Sequence, residues 1–203
     1  MDSYKKAWEQ IVKPPRFEYM KESLGPKQRY LYHIDKKILR IDFVARNPKE
    51  QKIQASLFQL MGDTNKNRPC IVYLHSHSAN RLEGISLIPY IFPQFCLCVF
   101  DFTGCGQSDG EYVTLGLKEA EDAQAVIEEL KEIFGLRNFF LWGRSMGAVS
   151  AIVHSYGVRG SGLHDVKGLV LDSPFSCAKS MVRHYFLQFL VEINFCWVIE
   201  VIS

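Results

Sequence analysis

The stretch Phe139-Phe140-Leu141-Trp142-Gly143-Arg144-Ser145-Met146-Gly147-Ala148-Val149-Ser150 decides how this chain is read. An apolar run stops at a Gly-x-Ser-x-Gly and resumes as small and apolar residues with helical character. The pattern predicts a strand turning sharply into a helix, with Ser145 held in a strained backbone conformation at the bend. Gly143 and Gly147 suit it because side chains there would collide with the neighbouring strand and helix. Such a bend exposes the Ser145 hydroxyl above the sheet edge and aims the Met146 amide at the place where an oxyanion would form. A bare five-residue match arises by chance; the strand before it and the helix after it make it specific.

On either side, strands and helices alternate. Residues 71–75 read as a short buried strand, 81–92 as a helix limited by Pro89 and Pro93, and 95–102 as a strand covered on both faces. Residues 114–134 read as a half-exposed helix, with Leu117, Ala120, Ala123, Ile127, Leu130 and Phe134 among many charges. Residues 138–142 lead into the bend, 146–156 leave it as a helix, and 167–171 form another buried strand. Further upstream, residues 37–45 and 52–60 are extended and separated by the turn-like Arg46-Asn47-Pro48-Lys49, so they form an antiparallel pair. Tyr4, Trp8, Ile11 and Val12 recur at helical spacing before Pro14-Pro15. After Pro174 an apolar stripe through Ala178, Met181, Val182, Tyr185, Phe186, Phe189 and Leu190 predicts a helix. Residues 191–202 alternate as a strand would, yet the helical stripe also extends through them, and both readings stand. The fold class is therefore α/β: a mostly parallel sheet with an N-terminal antiparallel pair and helices on both faces, in one domain spanning 1–203.

Bulk properties narrow the classes. A chain of 203 residues, 47% hydrophobic, buries one core. A net charge of +2 gives no nucleic-acid footprint. Thirteen Lys/Arg stand against seven Asp/Glu up to Lys52; a solvated face explains this more simply than an acidic partner or membrane surface. The six cysteines lack framework spacing, and Cys70, Cys96 and Cys98 sit in or beside apolar runs, which fits buried reduced thiols in the cytoplasm. Met1-Asp2-Ser3-Tyr4-Lys5-Lys6 lacks the apolar core of a signal peptide, and no uncharged run reaches membrane-spanning length.

Several segments together resemble one family. Lys13-Pro14-Pro15-Arg16, Ile71-Val72-Tyr73-Leu74-His75, the glycine-rich turn from Asp101 to Gly110, Trp142-Gly143-Arg144-Ser145-Met146-Gly147-Ala148 and Leu171-Asp172-Ser173-Pro174-Phe175 occur in the order found in α/β-hydrolases. The resemblance is to the serine-aminopeptidase-like branch and covers residues 13 to about 188. It implies hydrolysis of an ester, thioester or amide, with Ser145 as nucleophile and the amides of Met146 and His77 as oxyanion donors. One departure is Ser76, where the family has glycine after the strand-terminal histidine; a side chain there bears on the second donor's geometry.

The family's chain order also places an acid after the seventh strand and a histidine after the eighth. This sequence runs about one helix past its sixth strand, so it reads as cut short, with neither segment present and the sixth strand left as a bare edge. Among possible substitutes, His75 and His77 lie near the bend but are assigned loop-shaping and backbone roles. His154 and His164 read as surface residues and His184 as an outside candidate. Asp172 is a candidate acid at the correct sheet edge, although the resemblance implies a structural role for it, capping the following turn. Asp101 and Arg144 suggest an ion pair, with separate backbone contacts as the alternative. His75-x-His77 lacks a third ligand at sensible spacing, so neither metal nor cofactor is expected. The second functional reading is a catalytically dead hydrolase-fold subunit, whose partner covers the incomplete sheet edge and the apolar C-terminus.

Overall fold

A computed structural model describes residues 9, 11–157 and 165–176. The expected helix through Tyr4 and Trp8, His164, His184 and the apolar stripe after Pro174 lie outside these residues, apart from Glu9, Ile11 and Val12, which are helical. Seven strands form one sheet: β1 (Gln28–Leu31), β2 (Lys36–Arg46), β3 (Lys52–Leu60), β4 (Cys70–Leu74), β5 (Cys96–Phe100), β6 (Phe139–Arg144) and β7 (Val166–Asp172). Their spatial order is β1-β2-β3-β5-β4-β6-β7. The first three strands and the β3–β5 contact are antiparallel; β5, β4, β6 and β7 run parallel.

Alternation along the central strands divides the core in two. Cys70, Val72, Leu74, Cys96, Cys98, Phe100, Phe139 and Leu141 point to one face, where α2 (Leu117–Phe134) and α3 (Met146–Ser155) cover them. Ile71, Tyr73, Leu97 and Val99 point to the other, against Ile88 and Ile91 of the single-turn α1 (Ile88–Ile91). This period-two division buries β4 and β5 on both sides, as their unbroken apolar sequences require. Cys70, Cys96 and Cys98 are free buried thiols, and burial raises all three, Cys96 to about 12. Among the described residues no helix is long and apolar enough to cross a membrane.

Two expectations need correction. The N-terminal antiparallel pair is a three-stranded unit, because β1 adds outside β2, so the strand expected to be sixth is the seventh. The segment expected as one helix over 81–92 is a 3₁₀ stretch, Glu83–Leu87, followed by the α1 turn. Within the 3₁₀ stretch Gly84 packs directly on the Tyr73 ring and the Val99 side chain, leaving no room for a Cβ, and the Glu83 carboxylate is held by the Ser76 amide and hydroxyl.

The turn between β2 and β3 is fixed from beneath by buried polar groups. Asn47 Oδ1 accepts the amides of Lys49 and Gln51, and its Nδ2 donates to Asp122 Oδ1 at 2.9 Å. The Asp122 carboxylate also accepts the Thr103 amide at 2.7 Å and the Thr103 hydroxyl at 3.0 Å. Burial nevertheless pushes the Asp122 carboxyl up to about 6, against the pull of these donors. A folded-state pKa above the unfolded one means the folded chain binds more protons between the two values. The stabilisation from this group is complete below about pH 4 and is lost as pH rises through about 6. Urea unfolding of wild type and Asp122→Asn at about pH 4 and pH 7 should therefore show the balance moving toward the variant by ~2 kcal/mol at the higher pH. An unchanged difference would contradict the shift.

Candidate functional site

The bend between β6 and α3 is built as its glycines require. Ser145 adopts φ 51° and ψ −112°, a conformation rare outside glycine and stored only where surroundings enforce it. Here its amide donates to the Asp172 carbonyl of β7 at 2.8 Å, and its own carbonyl accepts from Val149 at 3.1 Å, so the helix begins at once. A Cβ on Gly147 would sit well under 3.0 Å from the Leu74 carbonyl, and one on Gly143 equally close to the Gly147 carbonyl. Three chain segments thus meet backbone to backbone. Ser145 is half-buried, and among the described residues its hydroxyl has no hydrogen-bond partner. The amides of Met146 and His77, the two candidate oxyanion donors, likewise have none.

The strand order brings two loops beside the bend. β4 pairs with β6 through Leu74 and Gly143, and β7 pairs with it through Asp172 and Arg144. His75 is fully buried at the end of β4; its Nε2 accepts the Phe102 amide at 3.1 Å, so its Nδ1 carries the proton and donates to the Ser76 carbonyl at 2.8 Å. Burial lowers its pKa, and the ring is neutral with both nitrogens engaged. His77 is similarly committed, with Nε2 donating to the Ile11 carbonyl at 2.7 Å and Nδ1 accepting from Ser78 Oγ at 3.0 Å. Neither imidazole is bonded to Ser145.

Ser76, the departure from glycine, has a defined partner. Its amide and its hydroxyl each donate to the Glu83 carboxylate at 2.7 Å. Glu83 in turn lies 3.6 Å from Arg144 Nη1, and Arg144 Nε lies 3.5 Å from Asp172 Oδ2. A line of charge, Asp172–Arg144–Glu83–Ser76, therefore crosses the three strand ends at the bend. The suggested Asp101–Arg144 pair is corrected by this: β4 stands between β5 and β6, and Asp101 pairs instead with the buried Arg81, at 3.6 Å. Asp172 also accepts from the Ser173 hydroxyl at 2.8 Å, and no described imidazole meets it. His154 is not a surface residue; it is 1% exposed beneath α2, with Nε2 against Gln124 Oε1 at 2.7 Å.

Glu83 and Arg81 were not singled out by the sequence pattern. The available signal was Ser76 itself, since a hydroxyl in a half-buried loop favours an acceptor nearby. Among the described residues, no group of three or more His, Cys, Asp or Glu is placed to hold a metal ion.

Comparison with known proteins gives a consistent picture. The family described as serine aminopeptidase, S33, matches residues 92–196. An uncharacterized protein of Acanthamoeba polyphaga mimivirus is 32% identical over 133 residues, which are 61% of this chain and 43% of that protein. An esterase of Pyrococcus furiosus superposes with a TM-score of 0.59 at 22% identity, over 80% of this chain and 58% of its own. Brefeldin A esterase, a bacterial homologue of human hormone sensitive lipase, superposes at 0.53 with 16% identity, over 85% of this chain and 46% of its own. The two structural likenesses are ones of fold, and the chain spans about half the length of the proteins it matches.

The backbone contact at the bend yields a direct test. Gly147→Ala forces a Cβ against main chain that has no rotamer to give, so the loss should exceed the ~1–3 kcal/mol of ordinary overpacking. Ala148→Gly, one residue along in α3, should cost only about 1–2 kcal/mol, from helix propensity and one buried methyl. Urea melts that rank the two variants equally would contradict the close approach.

Proposed function

This chain belongs to the serine aminopeptidase S33 family of α/β-hydrolases, and from that premise we propose that it carries the nucleophile half of an acyl-hydrolysis site. Ser145 attacks the carbonyl carbon of an ester, thioester or amide, and the amides of Met146 and His77 receive the developing oxyanion. The hydroxyl proton passes to a base outside the described residues, the leaving group departs, and water releases the acyl group from Ser145. The observation that carries this reading is the backbone of Ser145 at φ 51°, ψ −112° between two glycines that admit no side chain. Strain of that kind persists where it is over-determined, and here it lifts one hydroxyl out of the sheet.

We assign Asp172 to anchoring the bend through its carbonyl and to holding Arg144, rather than to the role of triad acid. A serine without a base is a weak nucleophile at neutral pH; in triad enzymes the remaining oxyanion contacts and binding leave about 10³–10⁴ over water. Partner polypeptide supplying base and acid would restore the rest.

A second reading, a hydrolase-fold subunit without activity, is favoured by one feature of the sheet. Among the described residues β7 is an edge strand, with Val170 42% and Leu171 40% exposed. A partner that pairs with this edge would bury them.

A fluorophosphonate probe separates the two readings. Covalent label should appear on the wild type and be absent from Ser145→Ala. A folded wild type that takes no label would contradict the nucleophile assignment and leave the subunit reading.

A further inference from the structure

The segment 11–19 crosses the top of the sheet, and among the described residues its polar contacts, apart from the helical Lys13–Glu9 bond, fall on two loops, 75–82 and 101–113. At its start Ile11 packs into the core, and its carbonyl accepts from His77 Nε2 at 2.7 Å. The Val12 carbonyl accepts the Val113 amide at 2.8 Å, and Lys13 meets Glu111 at 2.8 Å. Arg16 inserts its guanidinium into the glycine-rich turn and donates to three carbonyls: Ser108 at 2.6 Å, Gly106 at 3.2 Å, and Gly110. The Phe17 carbonyl accepts from Asn80 at 3.3 Å. Tyr19 then closes the crossing: its hydroxyl donates to Asp101 at 2.6 Å and accepts from Arg81, and its carbonyl accepts from Gln107 at 2.9 Å.

This arrangement does more than cover surface. Arg16 satisfies carbonyls of a turn whose positive-φ glycines, Gly104, Gly106 and Gly110, leave few internal partners for them. The strap is thus bonded both to the turn and to His77. The His77 side chain hangs from the Ile11 carbonyl, while the Ser76 amide and hydroxyl are clamped by Glu83. The peptide between these anchors carries the His77 amide; its carbonyl is held by His75 Nδ1 at 2.8 Å, while the amide itself is left with no partner among the described residues. Donors of this kind are effective only when their direction is set before the reaction, because water would otherwise reorganise as charge develops.

We propose that the N-terminal strap, residues 11–19, is a positioning element of the active site: through Arg16 and the Ile11–His77 bond it fixes the direction of the His77 amide. The inference rests on the reading of that amide as an oxyanion donor. Arg16 and the His77 imidazole are positioning groups; neither touches the reacting atoms. Lysine cannot replace Arg16, since one ammonium on a single stem does not match three carbonyls around a planar fork. Glutamine can stand in for the His77 ring, because its amide nitrogen offers a donor at a reach similar to Nε2.

The test uses the full chain and two readouts. In Arg16→Ala, Arg16→Lys and His77→Phe, amide hydrogen exchange in residues 75–82 should accelerate at least about tenfold, the scale of one or two lost net hydrogen bonds. Exchange in β6 and α3 should stay at the wild-type rate, and His77→Gln should behave as wild type. In the same variants the limiting rate of phosphonate labelling at Ser145 should fall about tenfold or more with the probe's affinity unchanged, as expected for a donor that acts on the transition state alone. Unchanged exchange at 75–82, or acceleration spread evenly through the sheet, would overturn the proposal. So would labelling variants that lose affinity and keep the limiting rate. If the wild type takes no label, the nucleophile reading fails by itself, and the exchange readout still decides whether the strap governs the loop.

Discussion

The upper face of this sheet is set by one contact between main chains: Gly147 of α3 lies against the carbonyls of Leu74 and His75 at the end of β4. Nothing can be inserted between them, so α3 must leave β6 at a fixed height and angle. That constraint explains the backbone of Ser145, which has to reverse direction within one residue while donating its amide to Asp172 on the far side. Strand order, with β4 and β7 on either side of β6, then sets one loop from each beside the same bend. The site's geometry is a consequence of close packing in glycine, before any side chain is considered.

A second layer, made of charge, holds the loops over that frame. The Asp101 carboxylate, wholly buried at the end of β5, accepts the Arg81 and Gln107 amides at 2.8 and 2.9 Å and the Tyr19 hydroxyl at 2.6 Å, with the Arg81 guanidinium beside it. Burial together with this carboxylate raises the Tyr19 phenol, which keeps it a neutral donor. A buried charge left unpaired would cost several kcal/mol, so these partners are mutually obligatory. Three segments distant in sequence, the strap, the 75–82 loop and the 101–110 turn, are locked by a single carboxylate. Nearer the bend the Asp172–Arg144–Glu83 line performs the same service at the surface, where water screens it and its contacts are longer.

Much of this was legible in the amino-acid sequence, and the failures have physical reasons. The β4, β5 and β6 runs announced themselves by unbroken or alternating apolarity, and the bend by its two glycines. Strand β1 escaped notice because only Leu31 of its four residues is buried, too little for a periodic signal. The 81–92 segment, read as a helix between prolines, is tied instead by tertiary contacts, Gly84 on Tyr73 and Glu83 on Ser76, that sequence order does not reveal. Arg144 was paired with the wrong carboxylate because sequence order does not reveal that β4 intervenes between β5 and β6. The acids Glu119 and Asp122 looked like the polar side of a half-exposed helix, yet both are buried. Their partners, Thr114 and Gly116 for the one and Thr103 and Asn47 for the other, come from loops whose positions only the fold determines.

Among the described residues the Ser145 hydroxyl is posed without an imidazole to take its proton. The most direct measurement is the pH dependence of the Ser145-dependent release of nitrophenol from an activated ester, taken as the difference between wild type and Ser145→Ala. The profile between about pH 6 and 8 should keep its shape in His77→Gln, because the His77 imidazole is bonded elsewhere and does not take that proton. A sigmoidal profile with its midpoint in the range where histidine titrates, lost in His77→Gln, would contradict it.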